Sequence, residues 1–142
     1  MLFVTTYHNK DFIKTANQEL GIAYSLMEKL KLGGIGSSRM VVKEMLKTKS
    51  LKRYTNQNID YGNIELRPKG IIIHVNENQQ QYSWVIPYHK LHIYNAQYLS
   101  FHTDGNVVKF LKNKNYQKNK KFIDKILELK NKYINITEYY QY

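Results

Sequence analysis

The chain contains no cysteine among its 142 residues. That absence excludes disulfides, thiolate zinc sites, iron–sulfur ligation and thiol nucleophiles together, and it suits an intracellular setting. Arginine is scarce as well, since only Arg39, Arg53 and Arg67 stand among 22 basic residues. Bidentate reading of guanine or phosphate favours the guanidinium group. Lys, Asn, Ile and Tyr are abundant together, as AT-rich coding produces, so the lysine excess behind the net charge of +11 is partly compositional. Long apolar runs are missing, and none approaches the roughly 20 residues that span a bilayer. The apolar start MLFV has no basic segment before it and no small-residue cleavage site after it, which predicts a cytoplasmic protein without a signal peptide.

Catalytic spacing is missing too. The eleven acidic residues are scattered, with no close pair beside an apolar wall that would raise one pKa. Ser37, Ser38, Ser83 and Ser100 lie in no G-x-S-x-G context. The stretch GGIGSS, Gly33 to Ser38, lacks the lysine and preceding strand of a phosphate loop and reads as a helix stop followed by a helix start. Five histidines are present, but isolated His seldom forms a site without convergent partners. Only a meeting of His74, His89 and His102 across neighbouring strands would make one. The sequence predicts no catalytic residues, no metal ligands and no cofactor.

One domain is the default for this length, with a core that needs no covalent staples. Residues 11 to about 50 carry helical periodicity: Phe12, Ile13, Ala16, Leu20, Ala23, Leu26, Met27 and Leu30 fall mostly on one face. Gly33 and Gly34 stop that helix, and Ser37 or Ser38 can cap a second one carrying Met40, Val41, Met45 and Leu46. A helix-turn-helix reading, with Ser37, Ser38, Arg39 and Lys43 opening a recognition helix, meets a turn that is too long and too rich in glycine. An N-terminal helical pair packed on a sheet is expected instead. Residues 48 to 61 read as a polar linker, closing an N-terminal region of 1–61.

From Gly62 the pattern becomes that of strands. Ile64 and Leu66 alternate with polar neighbours, Pro68 to Gly70 turn the chain, and Ile71, Ile72 and Ile73 follow as a β-branched run. A turn across Asn76 to Gln81 leads to Tyr82, Trp84 and Ile86 on one side of a strand, and Pro87 marks a bend. Leu91, Ile93 and Tyr98 to His102 supply more strand, and Asp104-Gly105 is a two-residue hairpin signal before NVVKFL. Asn119 opens a helix with Phe122, Ile123, Ile126, Leu127 and Tyr133 on its apolar face. The expected class is α+β, with five to seven antiparallel strands over residues 62–142 capped by a C-terminal helix.

This order of elements over residues 62 to 133, with the Ile86-Pro87-Tyr88 segment, the Asp-Gly hairpin and the closing helix, resembles the pleckstrin-homology-like domains of small bacterial proteins. The resemblance implies a bent, partly open barrel whose seventh strand could come from residues 1 to 7. It also implies a non-catalytic binding module for phosphoinositides, peptides or partner proteins. Phosphoinositide-binding members use basic residues between their first two strands, where this chain offers Arg67 and Lys69.

Residues 109 to 132 hold nine lysines against Asp124 and Glu128. Lys112, Lys114, Lys118, Lys120, Lys121 and Lys125, with Tyr116 as a stacking ring, make a candidate polyanion-binding surface, to which Arg67 and Lys69 are added. A second cluster comprises Lys43, Lys47, Lys49, Lys52 and Arg53. Thirteen tyrosines and Trp84, with the tail TEYYQY, offer amphipathic surface suited to protein contacts. The expected function is therefore protein or peptide binding, with nucleic-acid or other polyanion binding as the alternative. Insertion into a membrane is not expected, and self-association is left open.

Overall fold

A computed structural model describes residues 1–46, 60–77 and 79–140, with side chains 46 and 136–140 outside the description. Its elements are β1 (Leu2–Val4), α1 (Lys10–Leu20), α2 (Leu26–Leu32), β2 (Met40–Leu46), β3 (Asp60–Arg67), β4 (Gly70–Glu77), β5 (Gln80–Pro87), β6 (His92–Asn95), β7 (Leu99–Thr103), β8 (Asn106–Phe110), α3 (Lys114–Lys118) and α4 (Lys120–Tyr140). A 3₁₀ turn at Tyr88–Lys90 follows Pro87. The described strands form one eight-stranded sheet in the order β1-β5-β4-β3-β2-β8-β7-β6, antiparallel throughout and not closed on itself.

The two hairpins anticipated from local turn chemistry are present. Arg67 pairs with Gly70 across Pro68 and Lys69. Thr103 pairs with Asn106 across Asp104 and Gly105, both at positive φ (46° and 81°), the backbone that a two-residue turn of this kind demands. At the N-terminus β1 adds to the edge of β5, with Leu2 opposite Trp84.

The expected helical pair requires correction twice. The first helix ends at Leu20 because Gly21 takes φ 83° and caps it, and α2 starts afresh at Ser25. The second expected helix is strand β2. Its partners are β3 on one side and β8 on the other, and the register slips between Val42 and Glu44. Lys43 is the extra residue of this bulge, so inward positions run Met40, Val42 and then Met45 instead of Glu44. With β1 also in the sheet, the strand count rises to eight. Residues 48–59 of the expected linker lie outside the described residues, and Asp60 and Tyr61 already belong to β3. The α4 helix runs through Tyr140, so the start of TEYYQY is helical and adds no edge strand.

Both faces of the central strands are covered. On one face α4 packs Ile123 and Ile126, with Phe122, Leu129 and Tyr133, over Met40, Val42, Ile64, Leu66, Ile71, Ile73, Trp84 and Ile86. On the other face Ala16 and Leu20 of α1 meet Ile72 and Val85, edged by Phe3 and Phe12. Ile71, Ile72 and Ile73 are consequently all fully buried, which is why this segment shows no polar alternation. Among the described residues, no helix is long and apolar enough to cross a membrane.

Close packing fixes the start of β4. A Cβ on Gly70 would stand 2.3 Å from the Ile86 carbonyl oxygen, 2.6 Å from Leu20 Cδ2 and 2.8 Å from Pro87 Cα. Two of those neighbours are backbone atoms that cannot swing aside. Gly70→Ala is expected to cost about 1–3 kcal/mol by overpacking. A urea midpoint equal to wild type would show that α1 and β5 move apart freely at this point.

Candidate functional site

The lysine-rich segment divides into several local environments. Lys112, Lys114, Lys118, Lys120 and Lys121 are exposed along α3 and the start of α4. Tyr116 is buried, only 5% exposed, within the main core. Its hydroxyl accepts from Asn95 Nδ2 at 3.3 Å, and Lys112 Nζ lies 5.5 Å from its ring centroid. Its ring is thus a wall of the core. Lys125 is half-buried and donates to the carbonyl oxygens of Leu32 and Gly34.

Arg67 and Lys69 lie elsewhere. Arg67 donates through Nε to Glu65 at 2.9 Å, and through Nη1 to Asn17 Oδ1 and the Gly21 carbonyl at 3.2 Å each. These bonds clasp the β3–β4 turn to the end of α1, on the sheet face opposite α4. The backbone N–H of Lys69 reinforces the clasp by donating to Leu20 O at 2.9 Å. The second basic cluster is represented among the described residues only by Lys43, the bulge residue.

Between these basic surfaces stands α2, which buries none of its seven residues. Leu26, Met27 and Leu30 are 70–74% exposed, and Ile22, just before the helix, is 78% exposed. The helix is nonetheless carefully terminated. Ser25 Oγ accepts from Glu28 N at 3.3 Å, while Glu28 Oε1 accepts from Ser25 N at 3.1 Å, a reciprocal capping box. Those bonds, the one from the Ser25 backbone first, hold the Glu28 carboxyl below its usual range. At the other end Gly33 takes φ 73° and Lys125 meets the last carbonyls, where a cation also complements the helix dipole. Tyr24 and Ile35 pack on the core at either side and tether the element.

Sequence periodicity assigns Leu26, Met27 and Leu30 to the apolar face, whereas the structure exposes all three. The signals that mark them otherwise are local: Gly21, then Ser25 and Glu28 at capping-box spacing, restart the helix and break its phase with α1.

The histidines do not converge. His74 is on β4 and His102 on β7, with β3, β2 and β8 between them. His92 of β6 lies opposite His102, and His89 sits in the 3₁₀ turn. Among the described residues no group of three or more His, Asp or Glu is placed to hold a metal ion.

One histidine does enter a polar relay. His74 Nδ1 is 2.7 Å from Ser83 Oγ and 3.3 Å from Gln81 Nε2, and Ser83 Oγ is 2.6 Å from Thr5 Oγ1. A crevice of about 300 Å³ opens beside the relay, lined in part by Thr6, His8 and Phe12. Ser83 is fully buried, so its hydroxyl faces Thr5 and His74 instead of solvent. The relay braces the end of β1 against β4 and β5.

Comparison with family models, curated proteins and solved structures returns no match.

Burial holds the His74 pKa below its ordinary 6.5, with Glu65 acting to raise it and Arg67 to lower it. A histidine depressed in the folded state takes up its proton more readily when unfolded, so stability is full above pH 6.5 and falls as pH drops through that value toward the folded pKa. The His102 pKa is lowered in the same direction by burial, Lys109 and His92. The urea midpoint should therefore fall from pH 7.5 to pH 5.5, and His74→Gln should remove much of that fall. An equal slope in the variant would place the titration elsewhere.

Proposed function

We propose that the protein is a non-catalytic interaction module and that its contact element is α2. The observation that carries this reading is the 70–78% exposure of Leu26, Met27 and Leu30, neighbours on a helix that buries none of its residues, and of Ile22 in the turn that leads into it. Exposed apolar side chains are unremarkable singly, whereas a contiguous group rimmed by polar residues marks an interaction site. The sheet and closing helix fit the pleckstrin-homology-like class loosely, and within that reading α2 is an added element that the resemblance does not supply. The contact thus moves from the aromatic surface expected from sequence to a helix of aliphatic side chains.

Polyanion binding by the lysine segment alone has weaker support. Tyr116 has too little exposed ring to stack on a base, Lys125 is engaged by α2, and Arg67 is held on the opposite face.

The reading has a direct test. Leu26→Glu combined with Leu30→Glu should leave the urea midpoint close to wild type, because neither side chain is buried. A photoreactive residue at position 27 in the native cell should form an adduct that the double substitution abolishes, while one at the exposed position 97 should not. Adducts at position 27 no more abundant than at position 97 would remove α2 as the contact element.

A further inference from the structure

The surroundings of α2 are cationic. Lys29 and Lys31 lie on the helix itself, Lys125 touches its last carbonyls, and Lys121 is exposed one turn earlier on α4. Glu28, the single acid of α2, is bound into the capping box at the far end. The chain as a whole carries +11. Resting on the reading of α2 as the contact element, we propose that this helix docks the protein on an anionic lipid bilayer. Ile22, Leu26, Met27 and Leu30 enter the boundary between headgroups and acyl chains, and Lys29, Lys31 and Lys121 meet the headgroup phosphates, while Lys125 stays on the carbonyls that end the helix.

Shape, chemistry and charge favour this occupant over the others. A helix of seven residues is about 10 Å long, enough to lie in an interface and far too short to span one. Its apolar residues are Leu, Met and Ile on a protruding surface. Energetically dominant anchors at protein interfaces are enriched in Trp, Tyr and Arg seated in matching pockets, whereas acyl chains accept aliphatic side chains without a preformed groove. A second copy would bring two lysine-rimmed faces of the same sign together. Nucleic acid would satisfy the lysines but leave four apolar side chains facing phosphate and water. Lysine stems can lie along the apolar boundary while their ammonium groups reach the headgroups.

The experiment uses the full chain with vesicles of phosphatidylcholine alone and of phosphatidylcholine mixed with phosphatidylglycerol, read by co-sedimentation at low and physiological salt. Binding to the anionic vesicles alone is expected. It should weaken at least about tenfold in Lys29→Glu with Lys121→Glu, and be lost in Leu26→Glu with Leu30→Glu. Leu26→Trp should show a blue-shifted emission on binding, over a constant signal from the buried Trp84. Far-ultraviolet circular dichroism and urea midpoints matching wild type establish that the variants are folded. No binding at low salt, equal binding to neutral vesicles, or binding unaffected by the Leu26 and Leu30 substitutions would each overturn the proposal. A dimer in light scattering that those substitutions dissociate would overturn it too, as would a protein adduct at position 27 without vesicle binding. Those last two results would leave α2 as the contact element, whereas the absence of any specific adduct at position 27 would remove both readings.

Discussion

The pairing of β2 with both β3 and β8 is the constraint on which the architecture depends. On one side β3, β4 and β5 form a meander extended by β1, and on the other β6, β7 and β8 form a second. Among the described strands, β2 alone joins them into one sheet. A seven-residue strand therefore sets the relative placement of the two halves and supplies Met40, Val42 and Met45 to the core under α4. Its entry is clamped from outside the sheet: Asn119, 4% exposed, accepts from Ser38 N and Ser38 Oγ at 3.0 and 3.1 Å and donates to Ser38 O at 3.3 Å. The junction of α3 and α4 is thereby tied to the strand that α4 must cover.

That strand was illegible in sequence for a physical reason. The bulge at Lys43 inserts one residue into a period of two, so the inward Met40, Val42 and Met45 lose strict alternation, and the spacings of three from Val42 and four from Val41 to Met45 imitate a helix. No local turn signal offset the error, because both partners of β2 come from later in the chain. The hairpins at Pro68-Lys69 and Asp104-Gly105 were legible, since their chemistry is contained in four consecutive residues. The long first helix was half legible. The apolar phase before Gly21 describes the burial of Ala16 and Leu20 well, but the same phase continued past Gly21 gives Leu26, Met27 and Leu30 the wrong environment.

The basic residues teach a related lesson about counting charges. Arg67, Lys125 and Lys112 looked equivalent in sequence, yet one clasps a turn to α1, one terminates α2, and one stands near the ring of buried Tyr116. A cation within a dense cluster can be occupied by backbone carbonyls that only tertiary structure brings to it. The His74 relay was equally invisible. Its members lie just after β1 and on β4 and β5, and the 2.6 and 2.7 Å contacts from Ser83 to Thr5 and His74 arise only through the strand register that sets His74 opposite Ser83.

The stability of α2 poses the question that ties fold to function. Isolated helices shorter than about 12–15 residues are marginal in water, and most short helices in proteins persist because an apolar face is buried. This one has seven residues and buries none. Its order comes instead from its ends, where the reciprocal Ser25–Glu28 bonds, the left-handed Gly33 and the Lys125 contact satisfy groups that would otherwise face water. An N-cap of this kind contributes about 1 kcal/mol, and the tethers at Tyr24 and Ile35 limit how far the ends can separate. A helix held by its termini keeps its middle free. The apolar middle of α2 is consequently presented at a fixed place, preorganised, so the ordering cost that weakens contacts made by flexible segments is met within the fold.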